Sequence, residues 1–349
     1  MELVTLERYE PGSRLGTGAD YEVRTAVDRE TGNQVVLKRP VPQMIRLNQH
    51  GGAEARTQRL LQAHQEMGAS LTGIVPILGY TEPANHDAFF GDSLGNEYRV
   101  TVEERAKGIP LLGDQMARIT GVPIGVGQNL FALYPLGQTD GQPAFPVQQQ
   151  ILDVEETFLK AGYLLLDLRP QNIFYQPGAG RTTVIDCGGL VPLKPSKREE
   201  HPGNRRQTTP ADIHDFFLEV LKFYTTPQRP PEQAAGYRDP YGLRPVIRFE
   251  EELADLEAAF ESQDDACRAA ALEMIKKVRG RSYSGLEDFR QDLDFYFDSV
   301  RQRNSELPDY PLARQAWEEA CEWLKADYWR KFLFDPDVEL AEFQSQAHC

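Results

Sequence analysis

The sequence predicts an α+β chain of two lobes, a small strand-rich N-terminal part and a larger helical part. Three observations carry that prediction. "YEVRTAVD" and "QVVLKRP" read as neighbouring strands, rich in β-branched residues and separated by a turn signal. From about Val147 the apolar residues recur at helical spacing in segment after segment. The 349 residues, 40% of them hydrophobic, suffice for one large core or two modest ones.

Taken in order, the two strands flank the turn "RETGN". "AEARTQRLLQAHQEMG" follows as a helix with Leu60 and Leu61 on one face and Gly68 as its stop. "GIVPILGY" is a compact apolar strand, and "EYRVTVEE" and "NLFALYPL" are two further strands separated by Gly- and Pro-containing connections. The chain then turns helical with "QQILDVEETFLKAGY", passes through "LLLDLRPQNIFYQ", and returns to a short strand in "TTVIDCGG". Residues 190–210 read as a loop, after which Thr209-Pro210 is expected to cap and open the helix "ADIHDFFLEVLKFY". Ile213, Phe216, Phe217, Val220 and Leu221 would face inward on that helix. "EELADLEAAFES" and "ACRAAALEMIKKV" are helices as well, and so is "SGLEDFRQDLDFYFDSV". In the last, Ser284 and Glu287 have capping-box spacing, and Leu286, Phe289, Leu293 and Tyr296 form one stripe. A final amphipathic segment carries Trp317, Trp323 and Trp329, expected to dock the tail on the larger lobe.

Composition excludes several classes. A formal net charge of -15 lacks the basic footprint of a nucleic-acid binder or a polybasic membrane patch. The first residues have no apolar signal core, and no run approaches the roughly 18 apolar residues of a spanning helix. Cys187, Cys267, Cys321 and Cys349 are scattered without a C-x-x-C pair, which fits free thiols in a reducing cytoplasm better than disulfides or zinc. The basic cluster Lys194, Lys197, Arg198, Arg205 and Arg206 reads as a solvated loop.

Five signals carry chemistry, in a fixed chain order. Gly16 and Gly18 in "LGTGADYEV" lie between strands, where missing side chains let backbone amides approach phosphate. Lys38 ends the apolar strand "VVLK", and Glu54 on the next helix is placed to pair with it. Asp167 and Asn172 interrupt the apolar run of "LLLDLRPQNIFYQ", and Asp186 follows the apolar strand of "VIDCGG". Singly, each residue has a bland reading, because Asp and Asn at such edges commonly cap turns. Together, a carboxylate, an amide and a second carboxylate suit accepting a hydroxyl proton and holding Mg²⁺ against nucleotide phosphates.

On these five motifs the chain resembles the protein-kinase superfamily over about residues 8–300, in an atypical, bacterial-type form. The resemblance implies a bilobal fold with an N-lobe of about 8–135, a C-lobe of about 136–300, and a helical extension at 301–349 that is a candidate surface for a protein partner. It implies that Gly16, Gly18 and Val23 cover the nucleotide, Lys38 with Glu54 positions ATP, and Asp167 serves as the catalytic proton acceptor beside Arg169. Asn172 and Asp186 would hold Mg²⁺, with Mn²⁺ as the alternative ion. Asp212 would be the structural acid that braces the catalytic loop. The hinge has two candidate positions, Val102–Arg105 and Ala132–Leu136, of which the second leads more directly into the helix before Asp167.

The departures from the family pattern are specific. Tyr21 replaces the third loop glycine, Leu165 and Leu166 replace the His and Arg of the catalytic motif, Arg169 replaces a lysine, and Cys187 replaces Phe. No A-P-E segment for docking a peptide is recognisable between Gly188 and Asp212. The expected function is transfer of the γ-phosphoryl of MgATP to a hydroxyl. The alternative is a pseudokinase, a nucleotide-binding or purely structural scaffold.

Overall fold

The computed structural model describes residues 1–17, 21–42, 52–68, 71–111, 146–176, 179–193, 212–225, 248–261, 267–306, 308 and 311. These fall into two compact units, the first made of described residues up to Ala106 and the second of those from Lys107 onward. The division therefore follows directly on the strand of "EYRVTVEE". The other hinge candidate, Ala132–Leu136, lies outside the described residues, as do Gly18, the basic cluster, Thr209-Pro210 and the three tryptophans.

The first unit is a mixed sheet with one long helix. Its strands are β1 (Glu2–Leu3), β2 (Tyr9–Thr17), β3 (Tyr21–Asp28), β4 (Gln34–Pro40), β5 (Ile77–Tyr80) and β6 (Thr101–Glu104), in the order β1-β5-β6-β4-β3-β2. Only β1 and β5 run parallel. The β3–β4 hairpin forms where the turn signal stands: Gly32 adopts a φ of 71°, and the Asp28 N–H donates to the Asn33 carbonyl at 2.9 Å. The Asp28 carboxylate accepts Arg8 twice, at 2.8 and 2.7 Å, along with the Thr31 hydroxyl and the Glu30 N–H. The Arg8 guanidinium first of all, then these neutral donors, hold that carboxyl far below the usual carboxylate range.

β4 lies between β3 and β6 and is buried on both faces, which is why "VVLK" reads as a continuous apolar run rather than an alternating one. Val35 and Leu37 join an apolar cluster with Val100, Val102, Phe90 and Tyr98. The long helix α1 (Gly52–Met67) buries Leu60 and Leu61 and ends at Gly68, whose φ of 51° suits a glycine stop. A short helix, α2 (Asp87–Phe90), places Phe90 under the buried Arg39 guanidinium, 4.0 Å from the ring centroid. Glu22 and Asp92 supply the carboxylates that make a charge tolerable there.

The second unit is mainly helical. Its elements are β7 (Ile109–Pro110), α3 (Pro146–Lys160), β8 (Tyr163–Leu165), β9 (Ile173–Gln176), β10 (Arg181–Val184), β11 (Leu190–Pro192), α4 (Ile213–Tyr224), α5 (Phe249–Glu261), α6 (Arg268–Arg279) and α7 (Leu286–Ser305). β9 pairs with β10 and β7, and β8 pairs with β11, all antiparallel. α4 is buried on every side from Phe216 to Tyr224, and its Lys222 finds the equally buried Glu252 of α5 at 2.9 Å. Phe216, Phe217, Val220 and Leu221 are buried as expected, while Ile213 is only half-buried. Phe217 stacks on Phe289 of α7 with centroids 4.2 Å apart.

The helix caps differ from the sequence reading. Asp212 is the N-cap of α4: its carboxylate accepts the His214 N–H at 2.9 Å, while Asp215 accepts the Asp212 N–H at 3.0 Å. Ahead of α7 the Ser284 N–H and hydroxyl go to Asp288, one residue beyond the expected Glu287. Among the described residues no helix is long and apolar enough to cross a membrane.

Candidate functional site

In the first unit the sheet register gathers three of the residues singled out in the sequence. Gly16 stands opposite Val23, Val23 opposite Lys38, and Lys38 opposite Thr101. Directly opposed residues of a sheet share a face, so these four form one cross-strand row. At Gly16 the face is open: an added Cβ would meet nothing within 4 Å. Lys38 is 5% exposed, and its ammonium sits 4.6 Å from the centroid of the Tyr21 ring. The Tyr21 hydroxyl hydrogen-bonds Thr57 of α1 at 3.0 Å.

Glu54 requires a correction. It occupies the first turn of α1, and both of its carboxylate oxygens go to Arg99, one to the guanidinium and the other to the backbone N–H at 3.3 Å. The expected clamp on Lys38 is not how this carboxylate is used. Arg99 reaches it because the irregular segment before β6 passes the start of α1, a tertiary approach with no signature in "EYRVTVEE".

In the second unit two antiparallel strand pairs, β9–β10 and β8–β11, bring three other candidates together. β9 and β10 pair Ile173 with Val184, so Asn172, just before β9, lies beside the chain that leads to Asp186. The Ile185 N–H accordingly donates to the Asn172 carbonyl at 2.8 Å. β8 and β11 pair Leu165 with Leu190, and the Leu166 N–H donates to the Gly189 carbonyl at 3.3 Å. Gly189 is required here: a Cβ would fall 2.3 Å from the Leu166 carbonyl oxygen and 3.1 Å from the Asp167 Cβ. Asp167, Asn172 and Asp186 thus emerge at one edge of the two strand pairs.

Asp167 and Asp186 both adopt left-handed backbone, with φ of 72° and 57°. Among the described non-glycine residues only Arg281 shares that feature. Such conformations persist where the surroundings over-determine them, and they cluster at functional sites. The surroundings of Asp167 are visible. Arg169 grips its carboxylate from both sides, Nη2 donating to Oδ2 at 3.0 Å and Nε lying 2.5 Å from Oδ1. A half-exposed pair of this kind contributes little stability; its effect is to fix the direction of the Asp167 carboxylate. Asn172 is 6% exposed, and its Nδ2 donates to the Asp167 carbonyl at 3.1 Å.

The loop is held from behind by acids the sequence reading missed. Glu219 of α4 is 1% exposed and accepts the N–H groups of Asp167 and Leu168 on one oxygen, at 2.7 and 2.9 Å. Glu155 of α3 is fully buried and accepts the Leu165 N–H at 3.1 and 3.2 Å. Burial, and secondarily the neighbouring Glu219, keep the Glu155 carboxyl well above its usual range, against the pull of the Leu165 N–H. The Tyr224 hydroxyl donates to the Leu168 carbonyl at 2.5 Å. Bracing therefore comes from Glu219, not from Asp212, which caps α4 and pairs with Arg281 at 2.7 Å. The available signal was the pair of charges, Glu219 and Lys222, in the otherwise apolar run "FFLEVLKFY", where a glutamate is costly unless something in the core needs it.

The donor set suits a hard cation. Asp186 precedes a short turn that its side chain does not cap. The amide nitrogen of Asn172 is used on backbone, so the oxygen is the atom left to offer. No group of three or more His, Cys, Asp or Glu side chains able to hold a metal exists among the described residues. Two protein oxygens with phosphate and water completing the shell is the arrangement Mg²⁺ commonly takes.

No family model matches the chain, and no curated protein does. Among solved structures, the twitchin kinase region from C. elegans (Fn31-NL-kin-CRD-Ig26) is similar to 84% of this chain at 17% identity, with a TM-score of 0.47. The match spans 46% of that structure's length.

Proposed function

We propose that the chain is a phosphotransferase of protein-kinase-like fold that moves the γ-phosphoryl of MgATP to a hydroxyl acceptor. The observation that carries this reading is the single edge where two antiparallel strand pairs present Asp167, Asn172 and Asp186, both acids in left-handed backbone. In this reading Lys38 takes the α- and β-phosphates, and Gly16 and Val23 of the same row cover the nucleotide. Asn172 and Asp186 hold the metal, which when bound neutralises charge on the β- and γ-phosphates. Asp167, aimed by Arg169, accepts the proton of the acceptor hydroxyl. The hydroxyl oxygen bonds to the γ-phosphorus, the bond to the β,γ-bridging oxygen breaks, and ADP leaves. A cytoplasmic setting fits both the use of ATP and the buried free thiols Cys187 and Cys267.

The test is a thermal titration with ATP, with and without Mg²⁺ or Mn²⁺. Ligand at 100 times its dissociation constant stabilises by about 2.7 kcal/mol, enough to move the midpoint by several degrees. The shift is expected to need the metal and to disappear in Asp186→Ala. No shift with any nucleoside triphosphate contradicts the reading. The placement of Glu54 on Arg99 favours a second reading, a scaffold that binds nucleotide without transfer. A shift independent of metal and of Asp186 selects it.

A further inference from the structure

The residue at the position where the family resemblance expects a third glycine has a definite place in this fold. Tyr21 opens β3, and the register sets it opposite Pro40 while Val23 stands opposite Lys38. Tyr21 and Lys38 are therefore diagonal neighbours on one face, a separation that an aromatic ring and a long side chain span. The ring is 8% exposed and lies under the Lys38 ammonium at 4.6 Å, within cation–π range. Its hydroxyl is tied to Thr57 of α1 at 3.0 Å, so the ring cannot swing away without breaking a buried hydrogen bond. Glu54, meanwhile, is committed to Arg99.

We propose that Tyr21 is the positioning residue for Lys38, an aromatic seat that supports the ammonium on β4 and couples it to α1 through Thr57. This deepens the nucleotide-binding reading and rests on it for its functional consequence, but not for its geometry. An aromatic face differs from a carboxylate in two ways. It favours the charged amine through its ring face and itself accepts no proton from it. It also makes the seat dependent on ring position, hence on the Tyr21–Thr57 bond, and so ties lysine placement to the start of α1. A glycine here would remove the seat. Loss of a cation–π contact is worth about two- to thirtyfold in an equilibrium constant.

The experiment compares the full chain with Tyr21→Leu, Tyr21→Phe and Thr57→Val, each checked for parental circular dichroism. The first readout needs no nucleotide: site-specific acetylation of Lys38 by acetic anhydride near pH 8, followed by peptide mass spectrometry. Tyr21→Leu is expected to acetylate Lys38 at least threefold faster, because the amine loses both cover and the preference for its charged form. Tyr21→Phe keeps the ring but loses the bond to Thr57, as Thr57→Val does, so both are expected to fall between Tyr21→Leu and the parent. The second readout is MgATP affinity, expected to fall about tenfold in Tyr21→Leu and by less in Tyr21→Phe and Thr57→Val, which keep the ring but lose its tether. Equal acetylation of Lys38 in parent and Tyr21→Leu overturns the seat whatever ATP does. If Tyr21→Leu fails to fold, a Thr57→Val rate equal to the parent's overturns the proposed coupling. A parent that binds no ATP while the acetylation pattern holds contradicts the phosphotransferase reading and supports the seat.

Discussion

Asp167 and Glu219 stand 52 residues apart, yet the backbone N–H of Asp167 donates to the buried Glu219 carboxylate at 2.7 Å. The same oxygen takes the next N–H, that of Leu168, at 2.9 Å. A core helix therefore reaches under the loop and fixes the one residue whose backbone must stay left-handed for its side chain to meet Arg169. The bond links burial in α4 directly to the aim of the candidate catalytic base.

Removing that bracket leaves two buried N–H groups without acceptors. At about 1–3 kcal/mol each, Glu219→Ala is expected to cost roughly 2–6 kcal/mol. Asp212→Ala removes a cap and is expected to cost about 1 kcal/mol. Denaturant unfolding of both variants measures this; equal losses would mean that the loop is held elsewhere.

The buried Glu155 makes stability depend on pH in an identifiable direction. Its carboxyl titrates well above 4.5 in the fold, chiefly because of burial, while the unfolded chain ionises it near that value. The folded state therefore binds more protons from about pH 4.5 upward, and the parent loses stability as pH rises through that window. Glu155→Gln imitates the neutral acid and can still accept the Leu165 N–H. The stability difference, variant minus parent, should be flat below pH 4 and grow by up to about 1.4 kcal/mol per pH unit above it. A difference that does not change between pH 4 and 8 would show Glu155 ionised in the fold.

The same contrast shows what the sequence made legible. Gly16, Val23 and Lys38 fall in one row because three strands, β2, β3 and β4, pair in register, and register is a local property that turn chemistry and side-chain alternation write plainly. Asp167 and Asp186 stood out because each ends an apolar strand with a charge. Glu219 and Glu155 were not seen because their partners are backbone N–H groups, which every sequence contains and none advertises. Asp212 looked like the bracing acid because it begins the right helix, but at that end it satisfies the helix's own N–H groups first. Glu54 was assigned to Lys38 by order along the chain alone, and Arg99 reached it from a segment with no periodic signal.

The Arg99 partnership leads to a binding prediction. Glu54→Gln should change MgATP affinity less than about threefold, since the carboxylate serves the junction between α1 and the segment before β6. Lys38→Met, by contrast, should weaken it tenfold or more by removing the charge that meets phosphate. Calorimetric titration separates these outcomes, and a large loss in Glu54→Gln would restore the clamp.

The central claim is that Asp167 accepts a proton during phosphoryl transfer. The most direct measurement is incorporation of labelled γ-phosphate into the chain itself, generic proteins and a cell extract, by parent and Asp167→Asn side by side. Asn keeps the size of the side chain and its bond geometry but not the base, so the account predicts a loss on the order of 10²–10⁴ in rate with ATP affinity little changed. Equal incorporation by parent and Asp167→Asn would contradict it.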